Sequence, residues 1–124
     1  MNKTNHVREY APHSVNADTV HDRRVRKVIA KLQIQPQLRT GELSEMVGLS
    51  ISHLERIFKR EVAVTIGEYS KMLRLQRASD LLITTNDTEK EIARRVGIPD
   101  ESNFIRYFKQ RFGVTPKTYR NKMG

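Results

Sequence analysis

The chain has 124 residues, with 23 Lys plus Arg against 14 Asp plus Glu, a formal net charge of +9, and neither cysteine nor tryptophan. That length holds one or two small domains and excludes a large multidomain enzyme. The missing cysteine excludes disulfides, thiolate zinc sites, iron–sulfur clusters and thiol nucleophiles, and suits a reducing compartment. No apolar run approaches the roughly 18 residues of a spanning helix, and the N-terminus has no signal-peptide stretch, so a cytoplasmic protein without membrane association is expected.

Residues 1–21 form a polar tail with no hydrophobic period, expected to be disordered. Lys3 and Arg8 balance Glu9 and Asp18 there, so the whole excess charge lies in residues 22–124. A compact basic domain points to a polyanion, nucleic acid ahead of an anionic membrane surface. His6, His13 and His21 are too irregularly spaced, in such a tail, to read as a metal site, and no metal or cofactor is expected.

From Asp22 the pattern turns helical, with Val25, Val28, Ile29 and Leu32 at i, i+3, i+4 and i+7 and Pro36 near the helix end. The rest of the chain repeats. A shift of 49 lays Glu42, Val47 and Gly48 on Glu91, Val96 and Gly97; a shift of 50 lays Arg56, Phe58 and Lys59 on Arg106, Phe108 and Lys109, and Val64, Thr65 and Tyr69 on Val114, Thr115 and Tyr119. One extra residue therefore falls between Ile98 and Phe104. This is a tandem duplication.

Each copy reads as helix, tight turn, helix. In the first (about 40–61), Leu43, Met46 and Val47 make an apolar stripe, Gly48 fits a positive-φ helix end, and Ser50 caps the next helix. In the second (about 88–112), Thr88 and Glu91 make a capping box, Gly97 ends the helix and Pro99-Asp100 starts the next. Thr65 and Glu68 open a long linking helix (about 65–84), and Thr115-Pro116 opens a short terminal one (about 115–121). No segment alternates with period two. The expected fold is all-α, about seven helices.

In the second helix of each copy, Leu54, Ile57 and Phe58, or Phe104, Phe108 and Phe112, face inward. Ser52, Glu55, Arg56 and Lys59, or Ser102, Asn103, Arg106 and Lys109, face outward. A helix–turn–helix sets its second helix in the major groove, where an arginine can pair bidentately with guanine O6 and N7. An outward arginine alone is usually just solvated; Arg56 and Arg106 recur at the same repeat position on a basic duplicated scaffold, which favours base contact. Ser50, Lys59, Arg60 and Lys109 suit phosphates. Glu55 either accepts from a base amino group or pairs with Lys59 one turn on. His53 has no nucleophile at matching spacing, no Walker loop, metalloprotease helix or dinucleotide turn is present, and the phenylalanines sit at core spacing, so neither an enzyme nor a single-strand stacking platform is expected.

These residues resemble the DNA-binding domain of the AraC/XylS family of bacterial transcription regulators. The resemblance covers residues 22–121 and is carried by RRVGIPDESNFIRYFKQRFGVTPKTYR (94–120), VGLSISHLERIFKREVAVTIGEY (47–69) and LRLQRASDLL (73–82). It implies two helix–turn–helix subdomains joined by the long helix, one monomer reading successive major-groove segments of double-stranded DNA, and activation through RNA polymerase. It also places Ser52, Glu55 and Arg56, and Ser102, Asn103 and Arg106, at base-facing positions. Three departures stand out: Ile98 replaces the usual aromatic, Ala63 replaces a glycine after the first recognition helix, and the acidic Glu55 leaves the sequence preference of the first copy open. The rivals are the DNA-binding end of a larger ligand-controlled regulator, a sequence-tolerant DNA-bending protein and a protein-binding adaptor. No small-molecule effector is evident, and the Met1 start with its tail favours a small stand-alone regulator.

Overall fold

A helix leaves its first N–H groups without partners, and this chain supplies acceptors for them from its own side chains. The computed structural model describes residues 20–124, which form seven α-helices and no strand: α1 Arg23–Ile34, α2 Thr40–Val47, α3 Ile51–Val62, α4 Ile66–Thr84, α5 Glu89–Arg95, α6 Glu101–Phe112 and α7 Pro116–Met123. The expectations for the tail, His6 and His13 fall on residues 1–19, outside the described residues. No described helix is long and apolar enough to cross a membrane.

Both expected capping boxes form. The Thr88 and Thr65 hydroxyls accept from the Glu91 and Glu68 N–H at 3.1 and 3.0 Å, and the two carboxylates accept in return from Thr88 N–H at 2.7 Å and Thr65 N–H at 2.8 Å. Those Thr65 groups hold the Glu68 carboxyl below its ordinary value. Glu42 does the same reaching-back for α2, accepting from Arg39 N–H at 2.9 Å. At α1, Asp22 accepts from Arg24 N–H at 2.8 Å, while Glu61, distant in sequence, takes the His21 N–H at 2.8 Å and the Asp22 N–H at 3.2 Å. Packing consequently starts at Val20, which is 3% exposed, two residues ahead of the helical pattern.

The described chain divides into two compact units, 20–73 and 74–124, each with its own core. The border falls inside α4: Ile66, Tyr69 and Leu73 belong to the first core, and Leu75, Ala78 and Leu82 to the second. The duplication accounts for that border. Phe58 and Tyr69 pack with ring centroids 5.8 Å apart, and their counterparts Phe108 and Tyr119 at 5.4 Å. Ser70 Oγ donates to Pro36 O at 2.6 Å, and its counterpart Arg120 donates to Thr85 O at 3.0 Å and Leu82 O at 2.9 Å. The Pro36 carbonyl just beyond α1 thus matches the Thr85 carbonyl just beyond α4, so each unit is a lead helix, a helix–turn–helix and a closing helix, with α4 closing one copy and leading the next. Ile98 fills its place in the second core at 8% exposure. Met46, expected on an apolar stripe, is 42% exposed, because the inward positions of the short α2 are taken by Leu43 and Ser44.

Ala63 keeps the turn that glycine usually makes. It adopts φ 75°, close to the 83° of its counterpart Gly113. An L-residue pays roughly 1–2 kcal/mol in that region, partly offset by the larger freedom glycine loses on folding. A Cβ on Gly113 would meet nothing within 4 Å, so backbone strain alone decides there. Ala63→Gly is therefore expected to raise the unfolding free energy, and Gly113→Ala to lower it, each by about 0.5–1 kcal/mol in urea titrations.

The Arg24 guanidinium hydrogen-bonded to Asp22, helped by the Arg24 and Val25 N–H groups, holds the Asp22 carboxyl at about 2 against an ordinary 3.8. A depressed carboxylate stabilises the fold above its unfolded value, and that stability is lost as pH falls through the folded value. Asp22→Asn keeps a capping oxygen and removes the charge. It should cost under about 1 kcal/mol at neutral pH, since Arg24 is half exposed, and should flatten the acid limb of the stability curve between pH 3.8 and about 2.

Candidate nucleic-acid interface

The two turns that present the outward helices share one backbone design. In the first, Gly48 N–H donates to Glu45 O at 3.2 Å and Leu49 N–H to Ser44 O at 3.0 Å, with Gly48 at φ 72°. In the second, Gly97 N–H donates to Arg94 O at 3.2 Å and Ile98 N–H to Ala93 O at 2.9 Å, with Gly97 at φ 80°. Paired bonds of this kind satisfy the last carbonyls of a helix and turn the chain sharply. The extra residue expected between Ile98 and Phe104 is Pro99, which lengthens the second turn by one.

Each turn delivers a capped helix. Ser50 Oγ accepts from His53 N–H at 3.1 Å to start α3, and Asp100 from Asn103 N–H at 2.9 Å to start α6. The caps differ in charge. Ser50 leaves its hydroxyl hydrogen free to donate and the N-terminus of α3 positive; Asp100 and Glu101 neutralise that of α6. A phosphate thus fits the first start better than the second.

Along α3, Leu54, Ile57, Phe58 and Val62 are buried, while Ser52, Glu55, Arg56, Lys59 and Arg60 are exposed. Along α6, Phe104 and Phe108 are buried, Ser102, Arg106 and Lys109 are exposed and Asn103 is half-buried. Phe112 packs half-buried against Phe108, with ring centroids 4.4 Å apart. The structure therefore brings Ser50, Ser52, Glu55, Arg56, Lys59 and Arg60 together on one helix and its cap, and Ser102, Asn103, Arg106 and Lys109 on the other.

Glu55 and Lys59 form no ion pair among the described residues, against one of the two readings of Glu55. Lys59 instead lends its field to Glu68, lowering that carboxyl. Arg56, Lys59, Arg60 and Lys109 likewise meet no carboxylate within ion-pair distance among the described residues. Arg95, by contrast, is spent on Asp87 and Arg24 on Asp22.

Two exposed side chains on these faces escape the sequence pattern. Ile51, 47% exposed at the first residue of α3, reads as core because isoleucine usually is; its only signal is its place one residue after the cap. Gln110, exposed, is the counterpart of Arg60, a position marked only by the repeat. His53 is half-buried and serves α3 through its backbone N–H.

Together the turns, the caps and the exposed cationic faces define a tandem helix–turn–helix DNA-binding domain. A family described as a helix-turn-helix domain matches residues 43–122. The HTH-type transcriptional activator RhaR of Mannheimia succiniciproducens is 39% identical over 74 residues, 60% of this chain and 27% of that protein. The xylose operon regulatory protein of Escherichia coli strain K12 is 36% identical over 84 residues, 68% of this chain and 21% of that one. The chain spans well under half the length of either relative. Among solved structures, the C-terminal domain of AraT, a response regulator from Geobacillus stearothermophilus, matches with a TM-score of 0.74 and 28% identity over 82% of this chain and 86% of that one. The chain belongs to the AraC/XylS family of helix–turn–helix transcription regulators.

Proposed function

We propose that the protein is a sequence-specific double-stranded DNA-binding transcription regulator whose reading residues are Arg56 and Arg106. The observation that carries this is the recurrence of one exposed arginine at the same position of two capped helices, each held by the same turn and free of carboxylate partners among the described residues. Affinity comes from the excess positive charge through counterion release, and sequence preference from the two helix faces in the major groove. Ser52, Glu55, Ser102 and Asn103 lie beside the arginines at base-facing positions. Ser50, Lys59, Arg60 and Lys109 take phosphates. Glu55, without Lys59 as a partner, is left to accept from a cytosine or adenine amino group, which makes it the one repulsive element on the first face and hence a source of selectivity.

The wider reading rests on the family. The protein acts in the bacterial cytoplasm, binds as a monomer because it carries two reading heads, and activates by contact with RNA polymerase; RhaR of Mannheimia succiniciproducens is named a transcriptional activator, which supports the sign of regulation and not the contact. It needs no metal or cofactor for this and performs no catalysis. The same site chemistry serves a free-standing regulator and the DNA-binding end of a larger one.

Selection from a random duplex library, followed by titration of the winner and a scrambled control at several salt concentrations, tests the proposal. A two-block asymmetric motif bound well above the control is expected. Equal binding to both duplexes with a steep salt slope would leave phosphate attraction alone and make the protein architectural; no binding would leave the adaptor reading. On the winning site, Arg106→Ala and Arg56→Ala should each cost about 1–3 kcal/mol and relax preference at one base pair. Lys109→Ala should weaken selected and scrambled duplexes alike and reduce the log–log salt slope by about 0.9.

A further inference from the structure

The two arginines are not held alike. On α6, Arg106 Nη2 donates to Asn103 Oδ1 at 2.8 Å, one turn earlier, and its guanidinium carbon lies 5.1 Å from the centre of the Tyr107 ring. Asn103 is itself anchored, since its N–H is the one that Asp100 caps. A short chain of contacts therefore runs from the helix cap through Asn103 to the guanidinium. On α3 the counterparts of Asn103 and Tyr107 are His53 and Ile57. Ile57 is 3% exposed in the first core and offers no ring, and Arg56 meets no hydrogen-bond, ion-pair or ring partner among the described residues.

We propose that Asn103 is a positioning residue that holds the Arg106 guanidinium ready for its base, and that this makes α6 the more discriminating of the two recognition helices. The inference rests on the DNA-reading function and deepens it. An unheld arginine gives up rotamer freedom when it docks, and that loss is subtracted from the contact; a held one has already given it up. Holding also fixes the plane of the fork. Arg106 has five N–H donors and spends one on Asn103, which leaves enough for guanine O6 and N7 in a single orientation. A mobile Arg56 can turn to other acceptors, so its base pair is read more tolerantly. Asn103 thereby acts through Arg106 and shares its base pair, in contrast to a direct reader, which would impose a preference at a pair of its own.

Two measurements test this. In the free protein, NMR relaxation of arginine Nε–H groups should show Arg106 ordered and Arg56 averaged, with Asn103→Ala bringing Arg106 down to the behaviour of Arg56. On the selected duplex and its single-base variants, Asn103→Ala should reduce the preference at the base pair lost in Arg106→Ala by about threefold to tenfold. Binding to scrambled DNA should fall by less than the preference ratio does, and the unfolding midpoint should not change. Asn103→Asp, which keeps the accepting oxygen, should preserve the preference ratio even where overall affinity falls. In the Arg106→Ala background the Asn103 change should have no further effect. An additive effect at a different base pair would make Asn103 a direct reader and overturn the proposal, as would equal disorder of the two arginines or an unchanged ratio. A wild-type protein that selects no motif overturns the regulator function along with it, whereas a motif indifferent to Asn103 overturns this inference alone.

Discussion

The interaction on which the rest depends is the pairing of helix N-termini with acidic side chains. Seven helices in the roughly one hundred described residues create many first-turn N–H groups without partners, and leaving such groups buried and unpaired costs about 1–3 kcal/mol each. Asp22, Glu42, Glu61, Glu68, Glu91 and Asp100 are all engaged in this way. The same carboxylates stand on the N-terminal side of the helix dipoles, where negative charge is favoured. One consequence is structural, since the caps set where each helix begins and therefore which residues face outward. The other is electrostatic. Acids committed to backbone N–H groups form no ion pair with Arg56, Lys59, Arg60, Arg106 or Lys109 among the described residues, so those five cations stay available to an external anion.

The duplication explains how two reading heads arise from so little chain. What repeats is what the backbone needs: a positive-φ residue at the turn, paired turn hydrogen bonds, an oxygen at the cap and an aromatic pair in the core. What differs is on the outside. Glu55 corresponds to the half-buried Ile105, His53 to Asn103 and Arg60 to Gln110. A head whose scaffold is self-contained can change its outward side chains without disturbing its core, which is how one fold comes to read two different blocks of sequence.

Much of this is legible in the sequence because it is local. Capping boxes at Thr65 and Thr88, the proline at the first turn of α7 and the glycines at 48 and 97 are each announced within four residues. The inward and outward faces of α3 and α6 follow from period alone. What is not legible is long in range. Glu61 reaching the start of α1, Val20 joining the core, and Ser70 and Arg120 making equivalent bonds to carbonyls more than thirty residues away leave no periodic trace. The extension of the repeat through the lead helix is hidden for the same reason, its two versions having diverged in sequence while keeping their hydrogen bonds. Glu55 and Lys59 show a further limit: spacing permits a pair on an exposed face, where a screened contact gains too little to fix two long side chains.

Ala63 shows which part of the scaffold is under the tighter constraint. A residue with a Cβ sits where its counterpart is glycine, and the backbone bends to nearly the same φ instead of opening into another turn. The strain is tolerated because the alternatives are worse. Opening the turn would release the Ala63 N–H from Lys59 O, now at 2.9 Å, and move Val64 and Ile66 away from the first core. Turn geometry is therefore dictated by the packing on either side of it, and residue preference yields. The same order of precedence holds on the reading faces. The core and the caps decide where α3 and α6 point, and only then do Arg56 and Arg106 acquire a position from which reading a base is chemically available to them.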